Sequence, residues 1–299
     1  MQMTVPTTQA FLDLQPRLFG IAYRMLGTRQ EAEDAVQEAY LKWRQAEAAS
    51  VRSPQAWLVS VTTRLCIDRL RTLKMDREAY AGPWLPEPIV AEVASPETEL
   101  EKAQHLSIAF LFMLERLSPE ERASFLLHEV FDFDYAEIAS ALQRSEGACR
   151  QLVYRAKQRL GEPRGRFTPS AAQHRALVER FAAAAAAGDI DRIAALLSDD
   201  VQLAADGGGI VRTVLKPLQG AQRIARLFHV IARQVAAHAA RLDHQPARVN
   251  GELGLRRLFN GSLHSVIAFE TAGERIVSIS IVANPAKLDG AGARAKTDR

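Results

Sequence analysis

Only two cysteines, Cys66 and Cys149, occur in 299 residues. Neither has a CxxC partner and both fall inside helix-like apolar patterns, which argues against a zinc site and against a disulfide framework. No metal or other cofactor is expected, and a reducing compartment fits. Long apolar runs are missing too. Nothing approaches the ~18 to 20 residues of a membrane span, and Met1 to Ala10 lack a basic start followed by an apolar stretch. A cytoplasmic protein with no membrane partner is therefore expected. An excess of one charge is also absent: 38 Lys and Arg stand against 35 Asp and Glu, for a net charge of +3. That balance admits a nucleic-acid partner without requiring one. What the chain does have is 47% hydrophobic residues, enough for real cores, and a length that suits two or three domains.

Residues 9–74 read as successive helices. The first puts Phe11, Leu14, Leu18, Ile21, Ala22 and Met25 on one face and stops at Gly27, a residue suited to the left-handed turn after a helix. Thr28 with Glu31 has the form of a capping box, and Ala32, Ala35, Val36, Ala39 and Trp43 then form an inward stripe. That spacing leaves Asp34, Gln37 and Glu38 outward. Ser53 and Pro54 supply an N-cap and a first-turn proline for a third helix. It packs through Trp57, Leu58, Val61 and Leu65, and its outer side carries Arg64, Arg69, Arg71 and Lys74.

Between 81 and 96 the periodicity is lost, and five glycines and prolines forbid a continuous helix, so this stretch is expected to be a linker. Helical pattern resumes near Glu99 and runs to Leu117. Ser118, Pro119 and Glu121 then mark a helix start with cap, first-turn proline and capping-box glutamate together. Asp134 opens a short helix (135–142) and Ser145 the next, to about Leu160, a helix-turn-helix pattern. In its second helix Cys149, Leu152, Val153, Ala156 and Leu160 share one face. Gln151 and Tyr154 point away from it, with Arg150 and Arg155 at their flanks. Arg150, Gln151, Tyr154 and Arg155 suit base edges, and Lys157 and Arg159 suit phosphates.

Residues 163–170 read as a second linker. An alanine-rich helix (171–187) and a short one follow, and then strand-like runs at 201–205, 209–215, 247–250, 254–259, 262–271 and 274–282. Helix first and a curved antiparallel sheet afterwards describe an α+β cone. The tail beyond Leu288 is small and polar, with the composition of a disordered end.

Two stretches together resemble the extracytoplasmic-function sigma factors of bacterial RNA polymerase. LFGIAYRMLGTRQEAEDAVQEAYLKW and SPQAWLVSVTTRLCIDRLR resemble region two; LSPEERASFLLHEVFDFDYAEIASALQRSEGACRQLVYRAKQRL resembles region four. The resemblance implies a non-enzymatic protein whose partners are core RNA polymerase (clamp and flap) and promoter DNA. Asp34, Gln37 and Glu38 would face the clamp. The loop at 47–53 and the basic helix with Arg64, Arg69, Arg71 and Lys74 would handle the unwound −10 element. Arg150, Gln151, Tyr154, Arg155 and Lys157 would read the −35 element. Arg64 departs from the family pattern, which commonly has asparagine there.

WLPEP (Trp84, Leu85, Pro86 and onward), DGGG (Asp206, Gly207, Gly208, Gly209) and NPAKL (Asn284, Pro285, Ala286, Lys287, Leu288) are similar to signatures of a SigJ-like subgroup with a SnoaL-like, NTF2-like extension. The implied order is a region-two domain (1–80), a linker (81–98), a region-four domain (99–162), a second linker (163–170) and the SnoaL-like domain (171–288), with residues 289–299 beyond it. In that subgroup the extension modulates the sigma core in cis near these motifs, with Trp84 the expected anchor. Ile210 and Ala286 stand where lysine and aspartate are usual, which removes an ionic latch at those two positions. A rival reading stays open: a small-molecule sensor, or a SnoaL-like or ketosteroid-isomerase-like enzyme, with Asp206 and His229, His238 or His264 as acid and base.

Overall fold

A computed structural model describes residues 8–46, 51, 53–93, 106–161, 170–238 and 241–289. The described chain divides into two compact units. One holds residues 8–79 and 113–161, and the other holds 80–93, 106–112 and 170–289. The helical segments before and after the first proline-rich stretch thus share one unit rather than forming two separate bodies. The stretch itself, expected as a linker, belongs to the second unit.

In the first unit α1 (Thr8–Leu26), α2 (Arg29–Gln45) and α3 (Pro54–Glu78) form a bundle. Gly27 ends α1 at φ 79°, and the Thr28 hydroxyl accepts the Glu31 amide to start α2. Leu18, Ile21, Met25, Ala32, Ala39, Trp43, Leu58 and Cys66 are fully or almost fully buried. Burial also pushes the Cys66 thiol well above its ordinary range, so it is inert.

Beyond α4 (Ile108–Leu114), α5 (Pro119–Glu129), α6 (Tyr135–Leu142) and α7 (Glu146–Leu160) complete this unit. The helix expected from about Glu99 to Leu117 is observed over Ile108–Leu114, and its earlier part lies outside the described residues. Ser118 and Asp134 form complete capping boxes with Glu121 and Glu137. Gln143 makes the turn between α6 and α7 at φ 54°.

The second unit packs α8 (Ala171–Ala187), α9 (Ile190–Leu196) and α10 (Ala221–Ala237) against a seven-stranded sheet. Its strands are β1 (Val90–Ala91), β2 (Leu197–Asp206), β3 (Leu218–Gln219), β4 (Leu242–Val249), β5 (Glu252–Phe259), β6 (Ser262–Ala272) and β7 (Arg275–Val282), in the order β1-β4-β5-β6-β7-β2-β3. The core joins Phe181, Ile193, Val201, Leu203, Ile224, Phe228, Leu255, Ile267, Phe269 and Ile279.

Four expectations need correction here. The sheet is mixed, because β2 and β7 are parallel. The run at 209–215 is not a strand: Gly208 and Gly209 take positive φ (64° and 71°) and turn the chain back onto Gly207. α10 lay outside every expected element, although Ile224, Ala225 and Phe228 have helical spacing and are buried. Finally, Val90 and Ala91 pair with Val249 and Arg248 as an edge strand. Pro86 and Pro88 lack an N–H and keep the chain extended, which suits an edge and rules out a central position.

Candidate functional site

Within the first unit the outer face of α2 presents Asp34, Gln37 and Glu38, all exposed. Two of them already have cationic neighbours: Lys42 lies 3.4 Å from Glu38, and Arg69 Nη2 lies 3.4 Å from Asp34 while its Nε donates to Glu31. Hence the residues expected to face polymerase and one expected to touch DNA form a continuous polar surface on α2 and α3. The loop expected at 47–53 falls mostly outside the described residues.

On α3, Arg64 is half-buried and donates to the Ser60 carbonyl, whereas Arg69, Arg71 and Lys74 are exposed. Arg71 bridges Asp68 (2.8 Å) and Glu120 of α5 (2.5 Å), and Lys74 faces Glu78 at 3.6 Å. Arg64, Ile67, Asp68 and Arg71 line a cleft of about 180 Å³ with Glu120, Leu142 and Arg144. The helices on either side of the first proline-rich stretch are also joined directly. Ser60 donates to the Ala141 carbonyl (3.0 Å), Arg17 to Phe131 (3.1 Å), and buried Arg122 to the Arg24 carbonyl (3.2 Å) and Glu115 (2.6 Å).

On α7, Cys149, Leu152, Val153 and Ala156 are buried, while Arg150, Gln151, Tyr154, Arg155 and Lys157 are exposed. Three of these five carry acidic partners: Arg150 with Glu146 (3.0 Å), Arg155 with Glu121 (3.2 Å) and Lys157 with Glu129 (2.7 Å). Glu121 is itself buried and also holds Arg159 at 2.7 Å. Tyr154, 58% exposed, and Gln151 are the outermost residues of the face with no ion pair to exchange.

In the second unit the three short motifs meet at one carboxylate. Asp206 is fully buried at the end of β2. Its Oδ1 accepts from the Tyr80 hydroxyl (2.5 Å) and the Gly208 amide (3.0 Å), and its Oδ2 from the Leu85 amide (2.9 Å) and Lys287 Nζ (2.7 Å). Lys287, 6% exposed, also donates to the Leu85 carbonyl (2.5 Å) and lies 3.8 Å above the Trp84 ring. Asn284 donates to the Tyr80 hydroxyl (2.7 Å) and caps the turn Pro285–Lys287. A Cβ on Gly208 would come within 2.5 Å of the Asn284 side chain, so only glycine fits there. Gly207 is buried against Val211, and Leu288 packs with Leu85.

Trp84, the expected anchor, is only partly buried. Leu85 goes deepest, fully enclosed with Val249, Val266, Val282 and Leu288, and Pro86 is buried beside it. The residues missing from the sequence reading are Tyr80 and Asn250, which binds the segment at its other end: its amide donates to the Ile89 carbonyl (2.8 Å) and its Oδ1 accepts the Ile89 amide (3.0 Å). Tyr80 carries no local signal; Asn250 precedes Gly251 in an Asn-Gly pair, the composition of a tight hairpin turn, and takes a positive φ of 49° at the β4–β5 turn, but nothing local announces its bonds to Ile89. Ile210 is 72% exposed, and the buried ion pair of this centre is a different one, between Asp206 and Lys287.

This geometry also removes the acid from the enzymatic reading. Every oxygen of Asp206 is engaged, and His229 and His238 bond backbone carbonyls of Gly188 and Gln234. His264 lies against Phe259 at 4.7 Å, and none of the three bonds Asp206.

Comparison with known proteins decides the family. Sigma-70 region 2 matches residues 10–75 and Sigma-70 region 4 matches residues 107–160. The ECF RNA polymerase sigma factor SigJ of Mycobacterium tuberculosis is 34% identical over 94% of this chain and 92% of its own length. The chain belongs to the ECF RNA polymerase sigma factors. A second relative of this sigma factor, the probable ECF RNA polymerase sigma factor SigI of the same species, is 30% identical over 95% of each. The crystal structure of M. tuberculosis SigJ superposes with a TM-score of 0.76 at 32% identity, covering 95% of this chain and 99% of that one. The sigma factor thus has helical sigma regions followed by a mixed sheet unit, and no described helix is long and apolar enough to cross a membrane.

Proposed function

We propose that this sigma factor engages core polymerase through Asp34, Gln37 and Glu38, handles the −10 element with Arg69, Arg71 and Lys74 of α3, and reads the −35 element with the Arg150 to Lys157 face of α7. The polymerase clamp takes α2 and the flap takes region four. The mixed sheet unit is a SnoaL-like, NTF2-like cone and acts on transcription in cis. What carries the regulatory part is the Asp206 centre: the chain between the two sigma regions is bound into the C-terminal sheet by a buried ion pair and an edge strand.

The packed first unit supports an off-state. Elements 25 base pairs apart are separated by roughly 85 Å along the axis at 3.4 Å per pair. In the first unit Arg71 of α3 contacts Glu120 of α5 at 2.5 Å. On this reading α3 and α5 part when both elements are engaged, and the anchored segment 80–93 governs how far. Promoter-specific transcription with purified core polymerase tests this, comparing the full chain, a chain ending at Ser170, Trp84→Ala and Lys287→Met at equal amounts. The anchored segment predicts altered transcription in all three variants, and equal activity in all four proteins ends the regulatory reading.

A further inference from the structure

A buried cation remains that neither the sigma regions nor the Asp206 centre uses. Arg257 of β5 is 4% exposed. Its guanidinium lies 5.5 Å from the Phe228 ring of α10, on the helix-covered side of the sheet. Neither Nε nor Nη2 has a hydrogen-bond partner among the described residues. Among the described residues no carboxylate offsets it either: burial alone governs its ionisation, drawing it down to about 10, which leaves it charged at neutral pH.

Antiparallel register sets His244, Arg257 and Ser265 side by side across β4, β5 and β6. Ser265 is fully buried, and neither its hydroxyl nor the buried Nδ1 of neighbouring His264 has a hydrogen-bond partner among the described residues. Arg257 also depresses both histidines after burial does so, His244 to about 4, which keeps them neutral at pH 7 and leaves the site with a single positive charge. The apolar residues Leu255, Ile267 and Phe228 of the core adjoin this row, and Phe259 flanks His264.

An isolated buried charge is costly unless something pairs with it. The two open nitrogens, Nε and Nη2, form the side-on edge of a guanidinium, whose spacing matches the two oxygens of a carboxylate. A neutral imidazole and a hydroxyl beside that edge add polar contacts that do not repel an anion, and the aromatic and aliphatic neighbours suit an apolar body. From this arrangement we infer that the C-terminal unit binds a small organic carboxylate with an apolar body, held side-on by Arg257 with Ser265 and His264 beside it. This site is separate from the Asp206 centre and does not depend on the regulatory reading.

Benzoate is the probe, with benzyl alcohol and inorganic phosphate as controls, added to the full chain and followed by calorimetric titration and thermal unfolding. Benzoate raises Tm and gives a saturable heat; benzyl alcohol, which lacks the charge, and phosphate, which lacks the apolar body, do neither. Arg257→Met, which removes the lone charge, raises Tm without ligand and weakens benzoate by about tenfold or more through the lost charged pair. Arg257→Lys keeps the charge but not the fork, and weakens benzoate as well. Absence of a benzoate response overturns the inference, as does an equal response in Arg257→Met or to benzyl alcohol, or a response to phosphate alone.

Discussion

Replacing Lys287 by methionine isolates the buried ion pair at the centre of the second unit. The methionine keeps most of the volume beside Trp84, so packing changes little while the ammonium is lost from Asp206, at 2.7 Å, and from the Leu85 carbonyl, at 2.5 Å. Breaking a buried pair from one side costs about 3 to 5 kcal/mol, because the surviving charge stays desolvated. Three donors remain on Asp206, from Tyr80, Leu85 and Gly208. They place the loss at the lower end, about 3 kcal/mol. Native-state hydrogen exchange at the Leu85 amide, which donates to Asp206, reads this directly. Its protection is expected to fall roughly 150-fold, at a factor of ten per 1.4 kcal/mol. The double variant Asp206→Asn with Lys287→Met recovers part of that loss, since neither charge is then stranded. Unchanged protection of Leu85 in Lys287→Met refutes the reasoning, as does strict additivity in the double variant.

Arg150→Ala and Arg155→Ala are each expected to weaken −35 recognition by about 1 to 3 kcal/mol at one base position; transcription of −35 point mutants that matches the parent would exclude α7 as the reader. Charge reversal at exposed Asp34 and Glu38 lowers core-polymerase binding in a pull-down while the far-ultraviolet dichroism stays unchanged, because exposed substitutions alter stability little. His244 makes the second unit acid-sensitive: its protonation is depressed to about 4 in the folded chain, first by burial and then by Arg257. The unfolded chain therefore binds more protons between the ordinary histidine range and pH 4, so stability is complete above that range and declines as pH falls through it. Buried Glu270, held above its ordinary value, has the opposite slope. The difference between the parent and His244→Gln, measured by urea unfolding across that window, isolates the histidine, and identical pH profiles would contradict its depression.

Local chemistry was legible in the sequence. Thr28, Ser53, Ser118, Asp134 and Ser145 each accept the amide that their spacing offers, because a helix start is settled within four residues. The buried stripe of α7 follows for the same reason, since 3.6-residue periodicity fixes which side chains share a face. The three short motifs of the second unit could be read as related, but their geometry could not. Asp206 meets Tyr80, 126 residues earlier, and Lys287, 81 residues later, through strand order and register. The direction of β7 beside β2, the pairing of Val90 with Val249 and the closure of Arg71 on Glu120 are likewise long-range. The lone charge at Arg257 is the extreme case: any arginine in a strand reads as an ordinary surface cation. Only the packing of α10 across that face takes water from its guanidinium and leaves the charge in need of a partner.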